Sequence, residues 1–496
     1  MIRLFGSESR VCDGFTRRDL LQIGGLGALG LNLDLWMNRK LLEAAEADHA
    51  VNFGRAKSCI LLFLFGSPPQ HETFDPKPEA PAEVQGELGA IPSSVPGLNV
   101  CDRLPRTAQV MDRVTVIRSM MHEYPVHGVA YALTGMPTYT PAIEDKPHDP
   151  QHWPFMGSVV DWIDRQRTPD LPEIPRNLGL PWVFGSQCDK PTLAGPYAAF
   201  LGRAYDPVWT TYEGKPNRVV PKLAVSQGID VRDHFGGVEP GGRFGLSAAN
   251  READVSPRRL ELRRSLLEQF ESARDWMQKH PGVQTYADQQ RAAYSLLMSD
   301  RIRNALDVSQ EPARVRAEYG QTLFGEASLA ARRLVEAGAR FVSVFWDPVG
   351  PFGASVWDTH ANHFPRLKDY LLPVFDQTYP ALIRDLDERG LLDETLVLCL
   401  SEHGRTPKIN NAPGGGRDHW SRAYSAVVAG GGCGRGKVVG RTDRMGSDVE
   451  STPVSPKDVL ATAFHLLGID PQSHMPDALN RPLPIAGSGI VRHEFF

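Results

Sequence analysis

Residues 58–66 read Ser-Cys-Ile-Leu-Leu-Phe-Leu-Phe-Gly, an apolar run with no polar alternation through it. A strand with one face in water alternates apolar and polar residues. An unbroken run of this length, ended by Gly66, Pro68 and Pro69, is a strand buried on both faces. It therefore needs a sheet with helices on either side. The rest of the 496-residue chain supplies such a rhythm. Val114–Arg118 reads as a second short strand, and Gly128–Gly135 (GVAYALTG) as a short helix stopped by glycine. Ala339–Trp346, Thr395–Leu400 and Tyr424–Ala429 read as strands. Helical spacing is found at Arg258–Met298, Ala327–Ala337 and Leu367–Arg389, and Ser455-Pro456 opens a last helix through Leu467. The expected fold class is α/β, a three-layer α/β/α sandwich with a mostly parallel central sheet. Residues of about 145–255 are crowded with Pro, Trp and Gly and are expected to form a loop-rich insertion near the site.

The first 47 residues have a different character. Thr16-Arg17-Arg18-Asp19-Leu20-Leu21 opens a mildly apolar, glycine-rich stretch, and Ala45-Glu46-Ala47 offers small residues for cleavage. This is the pattern of a twin-arginine export leader, 1–47, with the folded domain at 48–496. The expected location is periplasmic or extracellular, the leader being cleaved or kept as a membrane anchor. No other segment approaches the ~20 apolar residues of a spanning helix, so the mature body is not expected to be membrane-embedded. A net charge of -5 leaves no basic footprint for nucleic acid. The six cysteines are scattered without a CxxC pair, which argues against a zinc ribbon or a disulfide framework.

Open α/β sheets bind ligands outside the carboxyl ends of their strands. The strand ending at Trp346 leads to Trp357-Asp358-Thr359-His360-Ala361-Asn362-His363. The strand ending at Leu400 runs into Ser401-Glu402-His403-Gly404-Arg405. A glycine-rich loop then brings Arg417-Asp418-His419-Trp420. Carboxylate and imidazole together suit zinc, manganese or iron. Asp358, His360, Glu402, His403 and His419 are the candidate ligands. Glu72 and Asp75, after the first strand, are further candidates; an Asp-Pro turn and a surface acid are the plainer reading. Arg405 and Arg417 are candidates to hold an anion as bidentate forks. His363 reads as a surface residue. His122 and His127 either line the pocket or are solvated loop histidines.

The segments ILLFLFGSPPQHETFDPKPEAP, VTVIRSMMHEYPVHGVAYALTG, FLGRAYDP, RRLVEAGARFVSV, WDTHANHF, SEHGRTPKIN and GRDHW, with the RRDLL leader, resemble the bacterial sulfatase-like family known as domain of unknown function 1501, within the alkaline phosphatase superfamily. The resemblance runs from the leader to about Asp470. It implies an alkaline-phosphatase-like core and a metal-dependent hydrolase ancestry, with zinc, manganese or calcium as the divalent metal. Glu402-His403 lies where relatives place an Asp-His metal pair, Asp358 and His360 resemble the contribution of the preceding strand, and His419 resembles the late histidine ligand. Two departures stand out. Gly66-Ser67-Pro68 lacks the acidic ligand usual at the end of the first strand. His127 stands where sulfatases carry a cysteine or serine nucleophile, so covalent catalysis of that type is not expected. The function expected is an exported metal-dependent hydrolase of sulfate or phosphate esters, acting on a small-molecule or polysaccharide ester. The alternative is a non-catalytic exported binding or surface protein that kept the fold.

Overall fold

A computed structural model describes residues 51–124, 128–137, 141–169, 172–190, 193–217, 235–246, 299–350 and 355–496, and the unit Gly54–Phe496 forms one compact body. The leader, His127 and the helical pattern of Arg258–Met298 lie outside the described residues.

The central sheet has nine strands. They are β1 (Ser58–Leu64), β2 (Val114–Met120), β3 (Asn177–Leu180), β4 (Val208–Glu213), β5 (Arg243–Leu246), β6 (Phe341–Trp346), β7 (Thr395–Leu400), β8 (Tyr424–Ala429) and β9 (Lys437–Val439). Their spatial order is β9-β2-β8-β7-β1-β6-β3-β4-β5. All run parallel except β8 and the edge strand β5. The apolar run of β1 is at the centre, paired with β6 on one side and β7 on the other, and every residue of it is buried.

Helices cover both faces. They are α1 (Val129–Thr134), α2 (Met156–Arg167), α3 (Leu323–Glu336), α4 (Leu372–Glu388) and α5 (Pro456–Leu466). Phe155, at the start of α2, packs edge-on against Phe341, and Phe324 of α3 packs on Trp346. Phe341 and Trp346 are five apart on β6, so they point to opposite faces of the sheet. α5 begins as its sequence directs: Ser455 accepts the Asp458 N–H, Asp458 returns a bond to the Ser455 N–H, and Pro456 needs no donor at the first position. Among the described residues no helix is long and apolar enough to cross a membrane.

The region 145–255 differs from the expected loop-rich insertion. It supplies α2 and three strands that extend the sheet, β3, β4 and β5. These strands are four to six residues long and flanked by Pro and Gly, so no period of two is long enough to be recognised. β8 also departs from a purely parallel reading. No helix lies between Leu400 and Tyr424 to carry the chain back to the far edge, so β8 returns antiparallel to β7. The whole of 401–423 is thereby kept at one edge of the sheet.

Candidate metal centre

Register sets the height at which the loops leave the sheet. Leu64 of β1 is level with Trp346, and Phe63 with Leu400. The next residues of all three strands therefore emerge together. Gly66 donates its N–H to Glu402 Oε1 at 2.8 Å, locking the β1 and β7 loops. A Cβ on Gly66 would lie 2.4 Å from the Asp358 backbone nitrogen, and its φ is +98°, so only glycine permits this approach.

Between β7 and β8 the chain makes a two-residue ribbon in which Gly404 faces Trp420 and Arg405 faces His419. Arg405 and His419 are thus direct cross-strand neighbours, and both reach Asp358. Asp358 Oδ1 lies 2.5 Å from Arg405 Nη2, 3.0 Å from His360 Nε2 and 3.5 Å from His419 Nε2. His360 Nε2 and His419 Nε2 are 3.0 Å apart. The loop before β8 seats His360 from behind: a Cβ on Gly416 would be 1.9 Å from the His360 carbonyl, and Asn410 donates its amide to the same oxygen. Arg366 donates to the carbonyls of Asp358 and Val356, fixing the loop that carries Asp358.

Asp358 Oδ1, His360 Nε2 and His419 Nε2 form a compact triangle. Donors bound tetrahedrally at zinc distances stand about 3.3 Å apart. The observed sides of 3.0, 3.0 and 3.5 Å match that spacing. The donor set, two imidazoles and one carboxylate, suits a borderline transition metal. His360 Nδ1 lies 2.7 Å from Asp418 Oδ1, the outer carboxylate that commonly orients a metal-binding histidine. With Asp358 on one ring nitrogen and Asp418 on the other, His360 has its pKa raised, chiefly by the hydrogen bond to Asp358 and against burial. The His360 and His419 side chains are 34% and 25% exposed, so the triangle has an open side.

The other expected site residues are placed differently. Glu402 is fully buried, and its carboxylate accepts from the Gly66 N–H and the Ser401 hydroxyl, bracing the loops. His403 Nδ1 contacts the Gly404 carbonyl, and its ring packs 4.6 Å from that of His419. Asp75 accepts from Thr442 and pairs with Lys77 and Arg118. Glu72 pairs with Arg417 at 2.5 Å. Burial alone would raise the Glu72 pKa, but Arg417 and then His363 hold it down at about 2. His122 accepts the Tyr124 N–H at Nδ1, so its Nε2–H donates to the Glu402 carbonyl.

Neither arginine is free to clamp an anion. Arg405 gives Nε to Ser67 O, Nη1 to Arg417 O and, at 3.5 Å, His360 Nε2, and Nη2 to Gly66 O and Asp358 Oδ1. Arg417 gives Nε and Nη2 to Glu72 Oε1, Nη2 also to Val84 O, and Nη1 to Thr406 O and Pro407 O. Each guanidinium has five N–H donors; all five of Arg417 meet oxygen, and four of Arg405 do, the fifth lying 3.5 Å from His360 Nε2. Both side chains are completely buried. His363, expected at the surface, is also fully buried, with Nδ1 on Thr359 and Nε2 3.4 Å from Glu72. Asp418 and Arg366 carry weight that the sequence did not reveal. Asp418 sits beside His419 in the quoted motif, but only the folded ribbon shows that its partner is His360.

The family described as protein of unknown function (DUF1501) matches residues 56–496. The chain belongs to that family. Among solved structures, this DUF1501 protein is similar to the sulfatase PsFucS1 from Pseudoalteromonas sp., at 12% identity over 86% of this chain and 70% of that one, TM-score 0.36. It is similar to the phosphonate monoester hydrolase SpPMH from Silicibacter pomeroyi, at 11% identity over 88% and 78%, TM-score 0.35. It is also similar to a protein of the alkaline phosphatase superfamily from Vibrio parahaemolyticus, at 11% identity over 89% and 72%, TM-score 0.35. A search of curated proteins found no match.

Proposed function

We propose that this DUF1501 chain is an exported, metal-dependent hydrolase of sulfate or phosphate esters. One observation carries the reading: Asp358 Oδ1, His360 Nε2 and His419 Nε2 converge at metal-ligand spacing, with one side open. Catalytic sites of this kind use three protein donors and keep a position for substrate. A divalent ion held there supplies a Lewis acid for the ester oxygen. The chain's own part is to hold the geometry. Asp418 orients His360, Arg366 and Gly66 fix the Asp358 loop, and Glu402 ties β1 to β7. A cavity of about 730 Å³ lined by His122, Tyr124, Tyr131, Pro137, Lys457 and Asp458 is separate from the triangle, since none of Asp358, His360 and His419 lines it. The leader 1–47, with Arg17 and Arg18, supports export.

The commitment of Arg405 and Arg417 favours a second reading, a non-catalytic binding protein of the same fold, because neither guanidinium is available to an anionic group. Purified protein assayed for bound metal and screened on aryl sulfate and aryl phosphate esters, beside His419→Ala, separates the two. Turnover that disappears together with the metal supports the hydrolase. Stoichiometric metal without turnover on either ester class supports the binding protein. For export, Arg17→Lys with Arg18→Lys in a leader–reporter fusion is expected to keep the reporter inside; unchanged export excludes the twin-arginine route.

A further inference from the structure

The two buried arginines occupy cages made of oxygen. Around Arg405 stand Asp358 Oδ1 and the carbonyls of Gly66, Ser67 and Arg417. Around Arg417 stand Glu72 Oε1 and the carbonyls of Val84, Thr406 and Pro407. One carboxylate with several carbonyls is the ligand type that calcium takes in sets of six to eight, and magnesium in an octahedron. Here those oxygens are already turned onto two permanent cations tethered to the chain. One of the three carbonyls around Arg405 belongs to Arg417, so the two cages are joined. What remains on the open side is the triangle with two nitrogens and a single oxygen.

We infer that the centre takes one transition-metal ion of the zinc class, and that Arg405 and Arg417 stand in for hard cations, so that calcium and magnesium are refused. Two arguments converge. Nitrogen-rich donor sets favour zinc-class ions, whereas calcium and magnesium need several oxygens, and beyond Asp358 Oδ1, which Arg405 and the triangle share, the oxygens of the two cages are turned onto the guanidiniums. Paired catalytic ions sit about 3.5–4 Å apart, and a second ion sharing Asp358 would meet a guanidinium that does not deprotonate. The inference rests on the metal-binding part of the proposed function and not on turnover.

The test uses the whole purified protein, stripped with a chelator and titrated calorimetrically with zinc, calcium and magnesium chlorides. One zinc per chain is expected, bound at least about 100-fold more tightly than calcium or magnesium. Cobalt(II) is expected to give visible absorption bands that His360→Ala and His419→Ala remove. Calcium bound as tightly as zinc, two ions per chain, or no ion at all overturns the inference. Zinc binding without turnover leaves it standing and removes the hydrolase; turnover supported by calcium alone does the reverse. Arg405→Gln, checked for folding by circular dichroism, is expected to gain at least tenfold in calcium affinity. A folded variant with unchanged calcium binding overturns the stand-in role, and if the variant does not fold, the selectivity of the unaltered protein decides.

Discussion

Arg405 and His419 face each other across the short ribbon and reach the same atom, Asp358 Oδ1, at 2.5 and 3.5 Å. The carboxylate therefore has a permanent counter-ion from the chain as well as a place in the proposed metal triangle. Its charge is balanced without any ion, so the stripped protein is expected to stay folded and unfold cooperatively. Removing Asp358 has a different consequence. Asp358→Ala strands a fully buried guanidinium, a change that costs about 3–5 kcal/mol. His419→Ala removes a quarter-exposed imidazole whose buried neighbour Asp358 keeps Arg405 as counter-ion, and is expected to cost no more than about 1 kcal/mol. Urea unfolding of the two variants without metal checks the contrast. Equal losses would mean that Arg405 is not held by Asp358 as described.

Asp418 is the residue through which metal affinity can be altered without disturbing the core. Its side chain is 56% exposed, and its role is the 2.7 Å contact with His360 Nδ1. Asp418→Asn is expected to weaken zinc binding by about 10- to 100-fold, the usual effect of losing an orienting partner, while the unfolding midpoint of the stripped protein moves little. Calorimetry with zinc and a melt without it measure the two quantities. A melt that falls while the zinc affinity holds would make Asp418 a structural residue only.

Gly416→Ala probes the seat of His360 from behind. The added methyl would overlap the His360 carbonyl, at 1.9 Å, so the backbone must move. Because the neighbouring Arg417 N–H also bonds the Thr359 carbonyl, that movement shifts the loop carrying the triangle. Zinc affinity is expected to fall by more than tenfold even though no ligand is altered. An unchanged affinity would show that His360 is held independently of this loop.

The sequence was legible where a single element carried its own signal. The unbroken run at β1 announced a strand buried on both faces, and Ser455-Pro456 with Asp458 announced the start of α5. Asp358, His360 and His419 were legible as ligand types because strand ends collect at one edge of an α/β sheet. The arginines were not. From sequence, Arg405 and Arg417 are two cations beside histidines, and nothing local says that the backbone carbonyls of Gly66, Val84 and Thr406 will enclose them. His363 was misplaced for a related reason. Its partner, Glu72, lies almost 300 residues earlier, and only the fold buries the two together. The strands of 145–255 were hidden by their shortness.

Two buried carboxylates give the protein opposite responses to pH. Asp347 follows β6 and accepts from Trp182 Nε1–H and the Gly185 N–H, yet burial outweighs both bonds and pushes its pKa up to about 8. In the unfolded chain an aspartate releases its proton near pH 4. Between those values the folded protein holds a proton that the unfolded chain has lost. Stability is therefore full below about pH 4 and declines as pH rises toward 8, by up to about 1.4 kcal/mol for each unit. Glu72 acts in the opposite sense. Its folded pKa of about 2 means that its contribution is present above about pH 4.5 and is lost as the pH falls toward 2. Asp347→Asn isolates the first effect. Its amide cannot accept from Trp182 and Gly185 together, so the variant is expected to be less stable at pH 5. It has no proton to lose, so its disadvantage should shrink steadily from pH 5 to 8. Urea midpoints of both proteins across that range give the difference, in which the titrations of histidines and Glu72 cancel. A constant gap would show that Asp347 is ionised throughout, and that its two N–H donors outweigh burial after all.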